Sequence, residues 1–318
     1  MFNSIMEYQD IKITLILFFT LLANVTNAAE WKDTTPHKIH YVEMDDKIKL
    51  EVVDWGGTGT PLVFLAGLAL NAHTFDPLVS SFIDSYRVIG ITRVGHGNSE
   101  SRTENFSTAR LVKDIIIILN KMHIDNAIFA GHSFAGGELN HLGRHFPERV
   151  KGLIYMDAVQ DLDYMESHLA ACPDLGYAAI DMLMYQENFY NTQRVKAPEG
   201  SYLPFAELSN LGKFIAEEEE RYYSEIAAPA IAINHIPEQT KDFFIGLGNP
   251  TQKCFEEMNK LTYLGIASFI KDKQNADVAA IQNSQHMIHM ATPEKLVKVM
   301  KNWLARTFEA GKKINRIE

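Results

Sequence analysis

The chain has 318 residues, of which 46% are hydrophobic and 22% are charged. This composition is typical of a globular protein with a sizeable core and excludes a disordered or repetitive chain. The formal net charge is −10, which does not fit a protein that binds nucleic acid. We therefore expect one globular domain, with or without an inserted subdomain, and no nucleic acid partner.

The N-terminus has the layout of a secretory signal peptide. An apolar run, Ile13–Val25, is followed by a short segment that ends in Ala28 and Ala29. The run is shorter than the roughly 20 apolar residues that a membrane span requires. We predict cleavage after Ala28 or Ala29, no stable membrane span in the mature protein, and a periplasmic or secreted location. An uncleaved anchor is the alternative, because Glu7 and Asp10 precede the run, where a positive segment is expected.

The chain contains two cysteines, Cys172 and Cys254. Export would place them in an oxidising compartment, where a disulfide between them is allowed, and two separate thiols are the alternative. No spacing of cysteine and histidine residues indicates a metal site. The sequence therefore predicts neither a metal nor a cofactor.

The first elements after the signal are strands. Segments His37–Glu43 and Lys47–Trp55 alternate apolar with polar residues on either side of an Asp45-Asp46 turn, which predicts an antiparallel hairpin. Leu62–Leu65 is wholly apolar, as expected for a strand that is covered on both faces.

Strands then alternate with helices along the chain. The predicted strands are Tyr86–Ile91, Asn126–Ala130, Gly152–Met156, Ala230–Asn234 and Asp277–Ile281, and the predicted helices are Thr108–Met122, Phe134–Phe146, Thr251–Lys271 and Pro293–Thr307. This alternation predicts βαβ units and a mostly parallel sheet with helices on both faces. Between Val159 and Ala228 the alternation stops, and we predict a mainly helical insertion. The charge run Glu217–Arg221 inside it is interpreted as a solvated helix face.

A serine motif stands between a predicted strand and a predicted helix. Residues Gly131–Gly137 read GHSFAGG, and in this context G-x-S-x-G forms a nucleophile elbow that lifts the serine hydroxyl above the sheet. The motif departs from the pattern because Ala135 replaces the last glycine. We predict that Ser133 is the nucleophile, with a serine that only caps the helix as the alternative. The N–H of Phe134 would supply one of two backbone donors to an oxyanion, and Leu68 in the loop after the Leu62–Leu65 strand would supply the other.

Four stretches of the chain resemble the α/β-hydrolase superfamily. LVFLAGLALNAHTFDPL resembles its oxyanion loop, although the family usually has His-Gly where this chain has Ala66-Gly67. RVIGITRVGHGNSE resembles the next strand with its loop, GHSFAGGELNHLGRHFPERVKGLIYMDA resembles the elbow and the following strand, and SQHMIHMATPEKL lies near the end. The resemblance covers about residues 37–310 apart from the insertion. It implies an α/β fold with an eight-stranded, mostly parallel sheet, whose core comprises residues 29–158 and 228–318, and a helical cap at 159–227. The signal peptide predicted from the N-terminal layout occupies residues 1–28.

A serine hydroxyl needs a histidine to accept its proton and a carboxylate to orient that histidine. His286 follows the last predicted strand and stands seven residues before Pro293, as the base of the family does. We predict that His286 is the base. His289 is the alternative, and we interpret it as a residue that lines the pocket or is satisfied within a turn.

Two carboxylates are the main candidates for the acid, and a third is weaker. The resemblance implies an acid after the Ala230–Asn234 strand, where this chain offers Glu238, whereas some lipase-like relatives place it after the strand that precedes Asp157. Both loops lie at the carboxyl edge of the sheet, where open α/β sheets form their sites. We favour Asp157, because it adjoins its strand directly, and keep Glu238 as the alternative and Asp242 as a third option.

A serine nucleophile indicates acyl transfer, whereas an aspartate would have indicated alkyl-enzyme chemistry. We therefore predict a serine hydrolase that cleaves a small or medium ester-like substrate through an acyl-enzyme on Ser133. The alternatives are a peptidase or amidase, a C–C bond hydrolase on the same triad, and a binding protein without catalysis. The sequence leaves the physiological substrate and the oligomeric state open.

Overall fold

The protein is described by a computed structural model that covers residues 33–68, 70–159, 214, 217, 219, 221–236 and 252–309. The predicted signal peptide, most of the predicted cap, Cys172, Glu238 and Asp242 lie outside these residues. The cleavage, disulfide and cap predictions therefore stay predictions.

The core of the molecule is one sheet of eight strands. They are β1 (Lys38–Glu43), β2 (Lys49–Gly56), β3 (Thr60–Leu65), β4 (Tyr86–Ile91), β5 (Ala127–His132), β6 (Val150–Met156), β7 (Ala230–Ile236) and β8 (Ala276–Gln282). Their spatial order is β1-β2-β4-β3-β5-β6-β7-β8. The pairs β1–β2 and β2–β4 are antiparallel, and all later pairs are parallel. The predicted hairpin and the mostly parallel sheet are confirmed.

Helices follow most of the strands. In the described part of the chain they are α1 (Asp76–Val79), α2 (Thr108–Lys121), α3 (Ala135–His145), α4 (Gln252–Asp272), α5 (Ile288–Ala291) and α6 (Pro293–Leu304), with a 3-10 turn at Ala72–Phe75. The hydroxyl of Ser107 caps α2 by accepting a hydrogen bond from the N–H of Arg110 at 3.3 Å. None of the described helices is long and apolar enough to span a bilayer.

Apolar side chains cover the sheet on both faces. Successive residues of β5 point to opposite faces, so Phe129 packs with Leu119 and Leu139 of α2 and α3, whereas Ile128 belongs to the cluster that contains Leu78 and Trp303 of α1 and α6. Burial on both faces explains why the parallel strands read as continuous apolar runs. The prediction of helices on both faces of the sheet is confirmed.

The interpretation of Glu217–Arg221 as a solvated helix face is wrong for the residues that the structure describes. Residues 217, 219 and 221 are not helical. Glu217 Oε2 accepts a hydrogen bond from the N–H of Phe106 at 3.0 Å, and Arg221 donates to the carbonyl of Ala158 at 2.8 Å. The side chains of Glu217 and Arg221 thus bind backbone groups of the core.

Candidate active site

Ser133 occupies a sharp turn between β5 and α3. Its φ is 52°, a left-handed conformation that is unfavourable for a residue with a Cβ. The turn is held on both sides, since the N–H of Ser133 donates to the carbonyl of Met156 at 3.2 Å and its carbonyl accepts from the N–H of Gly136 at 2.9 Å. The strain is typical of a functional residue that the surrounding structure fixes in place.

Two glycines allow the strand, the helix and the neighbouring loop to approach closely. A Cβ built on Gly131 would lie 3.0 Å from the Cβ of Ala135, and one built on Gly136 would lie 2.0 Å from the carbonyl oxygen of Ala158. Gly131 therefore makes room for the methyl group of Ala135, which explains how the turn accepts this departure from G-x-S-x-G. Gly136 cannot be replaced by a residue with a side chain in the same way, because a Cβ there would collide with the backbone carbonyl of Ala158.

His286 lies between Ser133 and Asp157. Its Nε2 is 2.9 Å from Ser133 Oγ, and its Nδ1 is 2.5 Å from Asp157 Oδ2. The three residues come from the ends of β5 and β6 and from the loop after β8, so the parallel strands deliver them to one edge of the sheet. The structure thus brings three of the predicted residues together, while Glu238 lies outside the described residues.

Asp157 is fully buried and accepts hydrogen bonds on both oxygens. Oδ2 accepts from Nδ1 of His286 and from Nδ1 of His235, the latter at 2.8 Å, and Oδ1 accepts from Asn234 Nδ2 and from the N–H of His235, both at 3.3 Å. Burial by itself raises the pKa of Asp157. The charge of His235 and the hydrogen bonds from His235 and His286 outweigh burial and hold the pKa far below its usual value. Asp157 is therefore ionised at neutral pH.

Sequence reasoning missed the roles of Asn234 and His235. Both stand at the end of β7, where the family resemblance implies the acid, and instead their side chains hold Asp157 on the neighbouring strand. The absence of an acid at this position was the signal that could have drawn attention to them.

Two further histidines pack around His286. Nε2 of His132 lies 3.0 Å from the backbone carbonyl of His286, so it donates to that oxygen. Burial, followed by the charges of His289 and His286, lowers the pKa of His132 well below its usual value. His289, the alternative base, lies 2.5 Å from Thr74 Oγ1, and burial together with His286 lowers its pKa to about 3. Both rings are therefore neutral at pH 7 and act as packing and hydrogen-bonding groups.

The predicted oxyanion loop passes directly beside the serine. A Cβ built on Gly67 would lie 3.2 Å from the Cβ of Ser133. Arg93 fixes the loop from behind, because its guanidinium donates to the carbonyls of Ala66 at 2.8 Å and Gly67 at 3.3 Å.

Arg93 itself is held by a buried carboxylate. It forms a bidentate pair with Glu138 at 2.8 and 2.6 Å, and its Cζ lies 5.0 Å from the ring centre of Phe134. One cation thus touches both segments that hold the predicted donors Leu68 and Phe134. Arg93 therefore fixes the backbone of the loop at the place where it passes the serine.

The arrangement can pass a proton from a hydroxyl to an imidazole. Ser133 Oγ, both nitrogens of His286 and Asp157 Oδ2 form one continuous chain of hydrogen bonds, which is the geometry of an activated serine nucleophile. His235 and His286 both direct Nδ1 at Asp157 Oδ2. These hydrogen bonds are sufficient to explain why the two histidines and the carboxylate lie together, so a metal ion is not needed to explain it.

Comparison with known proteins gives the same fold. A family model described as the alpha/beta hydrolase fold matches residues 60–215. The crystal structure of E-2-(acetamidomethylene)succinate hydrolase superposes with a TM-score of 0.63 at 17% identity, over 85% of this chain and 99% of that one. The chain therefore has the α/β-hydrolase fold, and the predicted sheet architecture is confirmed.

Several of the curated relatives are named non-heme haloperoxidases or chloroperoxidases. The chain is 23% identical to the non-heme chloroperoxidase of Burkholderia pyrrocinia over 84% of this chain and 90% of that protein. It is 30% identical to a protein of Mycobacterium phage D29 whose name describes it as a non-heme haloperoxidase, over 40% of this chain and 49% of that protein. The match thus spans about half the length of the phage protein.

Proposed function

We propose that the protein is a serine hydrolase that cleaves small or medium carboxylic esters through an acyl-enzyme on Ser133. The observation that carries the proposal is the 2.9 Å contact between Ser133 Oγ and His286 Nε2 at a serine with a φ of 52°. A hydroxyl held in this way on a strained turn, with a buried and ionised Asp157 behind the imidazole, is suited to nucleophilic attack on a carbonyl.

The reaction follows from the positions of three side chains. Ser133 Oγ attacks the ester carbonyl while His286 Nε2 takes the hydroxyl proton, and the same nitrogen then gives that proton to the departing alcohol oxygen. Water deprotonated by His286 attacks the acyl-enzyme, which releases the carboxylic acid and restores the serine hydroxyl. Asp157 keeps Nδ1 of His286 protonated and stabilises the imidazolium between these steps.

The N–H groups of Phe134 and Leu68 are proposed to bind the oxygen that becomes negative during each attack. This role is supported by the closeness of Gly67 to Ser133 and by the two carbonyls of the loop that Arg93 engages. Since Arg93 also lies against Phe134, we propose that it positions both donors without touching the substrate.

An active-site phosphonate and a panel of p-nitrophenyl esters graded by chain length test the proposal. We expect a single phosphonyl adduct, located on Ser133 by mass spectrometry of peptides, and turnover that is fastest with short or medium acyl chains. The Ser133→Ala variant, which changes one oxygen atom, is the matched control. Wild-type protein that forms no adduct would indicate a binding protein, and turnover of anilides in preference to esters would indicate a peptidase or amidase.

The names of the curated relatives favour one second activity. An acyl-enzyme on Ser133 that reacts with hydrogen peroxide instead of water releases a peracid and restores the serine, and a peracid oxidises halide ions. We propose to measure peracid formation from acetate esters and hydrogen peroxide, together with bromination of an added acceptor. Both reactions must disappear in Ser133→Ala, whereas bromination that survives this change would require a different site.

We also propose that the mature protein is exported. The support is the signal-peptide layout of residues 1–28. N-terminal sequencing of protein recovered from the periplasm or the medium is expected to begin at Ala29 or Glu30, and an intact Met1 on a membrane-bound product would establish the anchor instead.

A further inference from the structure

A second group of histidine and carboxylate side chains lies where the N-terminal segment crosses the 3-10 turn at Ala72–Phe75. Asp33 Oδ2 is 2.5 Å from His73 Nδ1 and 3.5 Å from His37 Nε2. The side chains of Asp33 and His73 are 4% and 5% exposed, and that of His37 is 20% exposed. The ligand atoms of all three residues lie within 4.8 Å of one another, and one edge of the group reaches solvent through His37.

The outer hydrogen bonds of the two histidines select which nitrogens face Asp33. Nδ1 of His37 donates to the carbonyl of Thr35 at 2.9 Å, which leaves the lone pair of Nε2 directed toward Asp33. Nε2 of His73 is 3.3 Å from Glu51 Oε1, which leaves Nδ1 toward Asp33. A carbonyl or carboxylate on the far nitrogen is the usual arrangement around histidines that bind a metal.

Glu51 is fixed in its outer position. Its Oε2 accepts from the hydroxyl of Thr92 at 2.7 Å, and its Oε1 accepts from Asn98 Nδ2 at 2.7 Å. Both oxygens are thus engaged by neighbouring side chains, so Glu51 supports His73 and does not replace it as a ligand.

The backbones that carry the three residues are also held in place. The carboxylate of Asp76 accepts hydrogen bonds from the N–H and hydroxyl of Thr34 at 2.7 and 2.8 Å and from the N–H of Thr35 at 3.1 Å. On the other side, Asn71 Oδ1 accepts from the N–H of His73 at 3.1 Å. A site built in this way does not need to order a loop when it binds its ion.

We propose that Asp33, His37 and His73 form a binding site for a divalent transition-metal ion, Zn²⁺ in the first instance. One carboxylate oxygen and two imidazole nitrogens suit Zn²⁺, whereas Mg²⁺ and Ca²⁺ prefer oxygen ligands alone. Ligand atoms around tetrahedral Zn²⁺ lie roughly 3.4 Å apart, given Zn–N and Zn–O bonds of about 2.0–2.1 Å. Side-chain movements of the order of 1 Å bring the ligand atoms to that spacing. The ion would then replace the hydrogen bond between Asp33 and His73, and a water molecule would be the fourth ligand.

The ion would tie the N-terminal segment to the turn that follows the oxyanion loop. The three ligands are separated along the chain by 4 and 36 residues (33 to 37, 37 to 73), and no standard motif has this spacing. The site is therefore visible only in the fold, and it is independent of the proposed esterase activity.

The test uses protein without a histidine tag, stripped with a chelator and titrated with Zn²⁺ by calorimetry. We expect one tight site per chain, no comparable binding of Mg²⁺, and a thermal midpoint that rises by roughly 5 °C at a hundredfold excess over Kd. The His37→Gln variant removes a partly exposed ligand and is expected to weaken the site by at least about tenfold.

A second histidine cluster on the same chain provides the matched control. His141 and His145 stand one turn apart on α3 beside Glu219, and the ligand atoms of these three residues also lie within 4.8 Å of one another. The His145→Gln variant is expected to keep the tight site. Tight binding that is lost in His145→Gln and kept in His37→Gln would overturn the proposal, as would wild-type protein that binds Zn²⁺ no better than Mg²⁺.

Co²⁺ gives a measurement that does not depend on any variant. Co²⁺ bound by the two imidazole nitrogens, the carboxylate oxygen and one water is expected to show the intense visible absorption of a tetrahedral ion. A weak octahedral spectrum at saturation would contradict the proposed geometry.

Discussion

The ends of β6 and β7 are neighbours in the sheet and have complementary roles in the candidate site, since β6 provides a hydrogen-bond acceptor and β7 provides the donors. At the end of β6, Asp157 has a φ of 50°, close to the 52° of Ser133 at the end of β5. At the end of β7, where the family resemblance implies the acid, Asn234 and His235 donate to Asp157. The comparison teaches that a carboxylate at the end of one strand can contact His286 while side chains at the end of the neighbouring strand hold that carboxylate in place.

Removal of the nucleophile or of its base should have the largest effect. We expect Ser133→Ala and His286→Ala each to lower kcat for ester hydrolysis by at least about 10⁴-fold, because the nucleophile and its base act as one unit. Far-UV circular dichroism should remain unchanged. A variant that retains a tenth of the wild-type rate would remove that residue from the mechanism.

The Asp157→Asn variant tests whether the acid lies at the end of β6 or in the loop after β7. The amide keeps the shape of the side chain but cannot stabilise the imidazolium, so we expect kcat to fall by up to about 10⁴-fold. Glu238→Gln serves as the matched change and is expected to leave kcat nearly unaltered. The reverse outcome would assign the acid to the loop after β7.

The His235→Gln variant tests the support of the carboxylate from β7. We expect a fall in kcat of roughly 10- to 100-fold with little change in KM, because the substituted residue touches Asp157 and not the substrate. Loss of His235 also removes the largest interaction that keeps the pKa of Asp157 low. A KM that changes as much as kcat would indicate that the substitution distorts the whole site.

Arg93→Lys perturbs the oxyanion loop on the opposite side of the serine. Lysine keeps the charge but cannot make the bidentate pair with Glu138 or reach both loop carbonyls. We expect kcat/KM to fall by about tenfold through kcat, with phosphonate still attaching to Ser133. Equal rates for the two proteins would show that the loop holds its shape without the guanidinium.

The smallest effect concerns stability against pH. The pKa of His289 is lowered from 6.5 to about 3 in the folded protein, so the unfolded chain binds more protons between these values. The contribution of the neutral His289 to the free energy of unfolding is complete above pH 6.5 and is lost as the pH falls toward 3. Urea unfolding at a series of pH values should give a shallower decline of the free energy of unfolding in His289→Gln than in wild type, and parallel curves would contradict the assignment.

The sequence was sufficient for the elements and their alternation, because apolar runs and helical spacing are local properties. It also predicted Ser133 and His286, since each follows a strand in a recognisable context, and the structure places them in contact. The choice between Asp157 and Glu238 could not be made in the same way, because it depends on which of two loops faces His286. Contacts such as those of Arg93 with Ala66 and of His235 with Asp157 join residues distant along the chain, and no periodicity records them.

The attachment of Thr34 and Thr35 to Asp76 has a practical consequence for anyone who handles this protein. Residues 33–35 are thereby fastened next to the turn whose Thr74 contacts His289. A purification tag or fusion partner joined close before residue 33 would therefore be held beside this turn. For kinetic work, a purification tag or fusion partner should therefore be placed at the C-terminus.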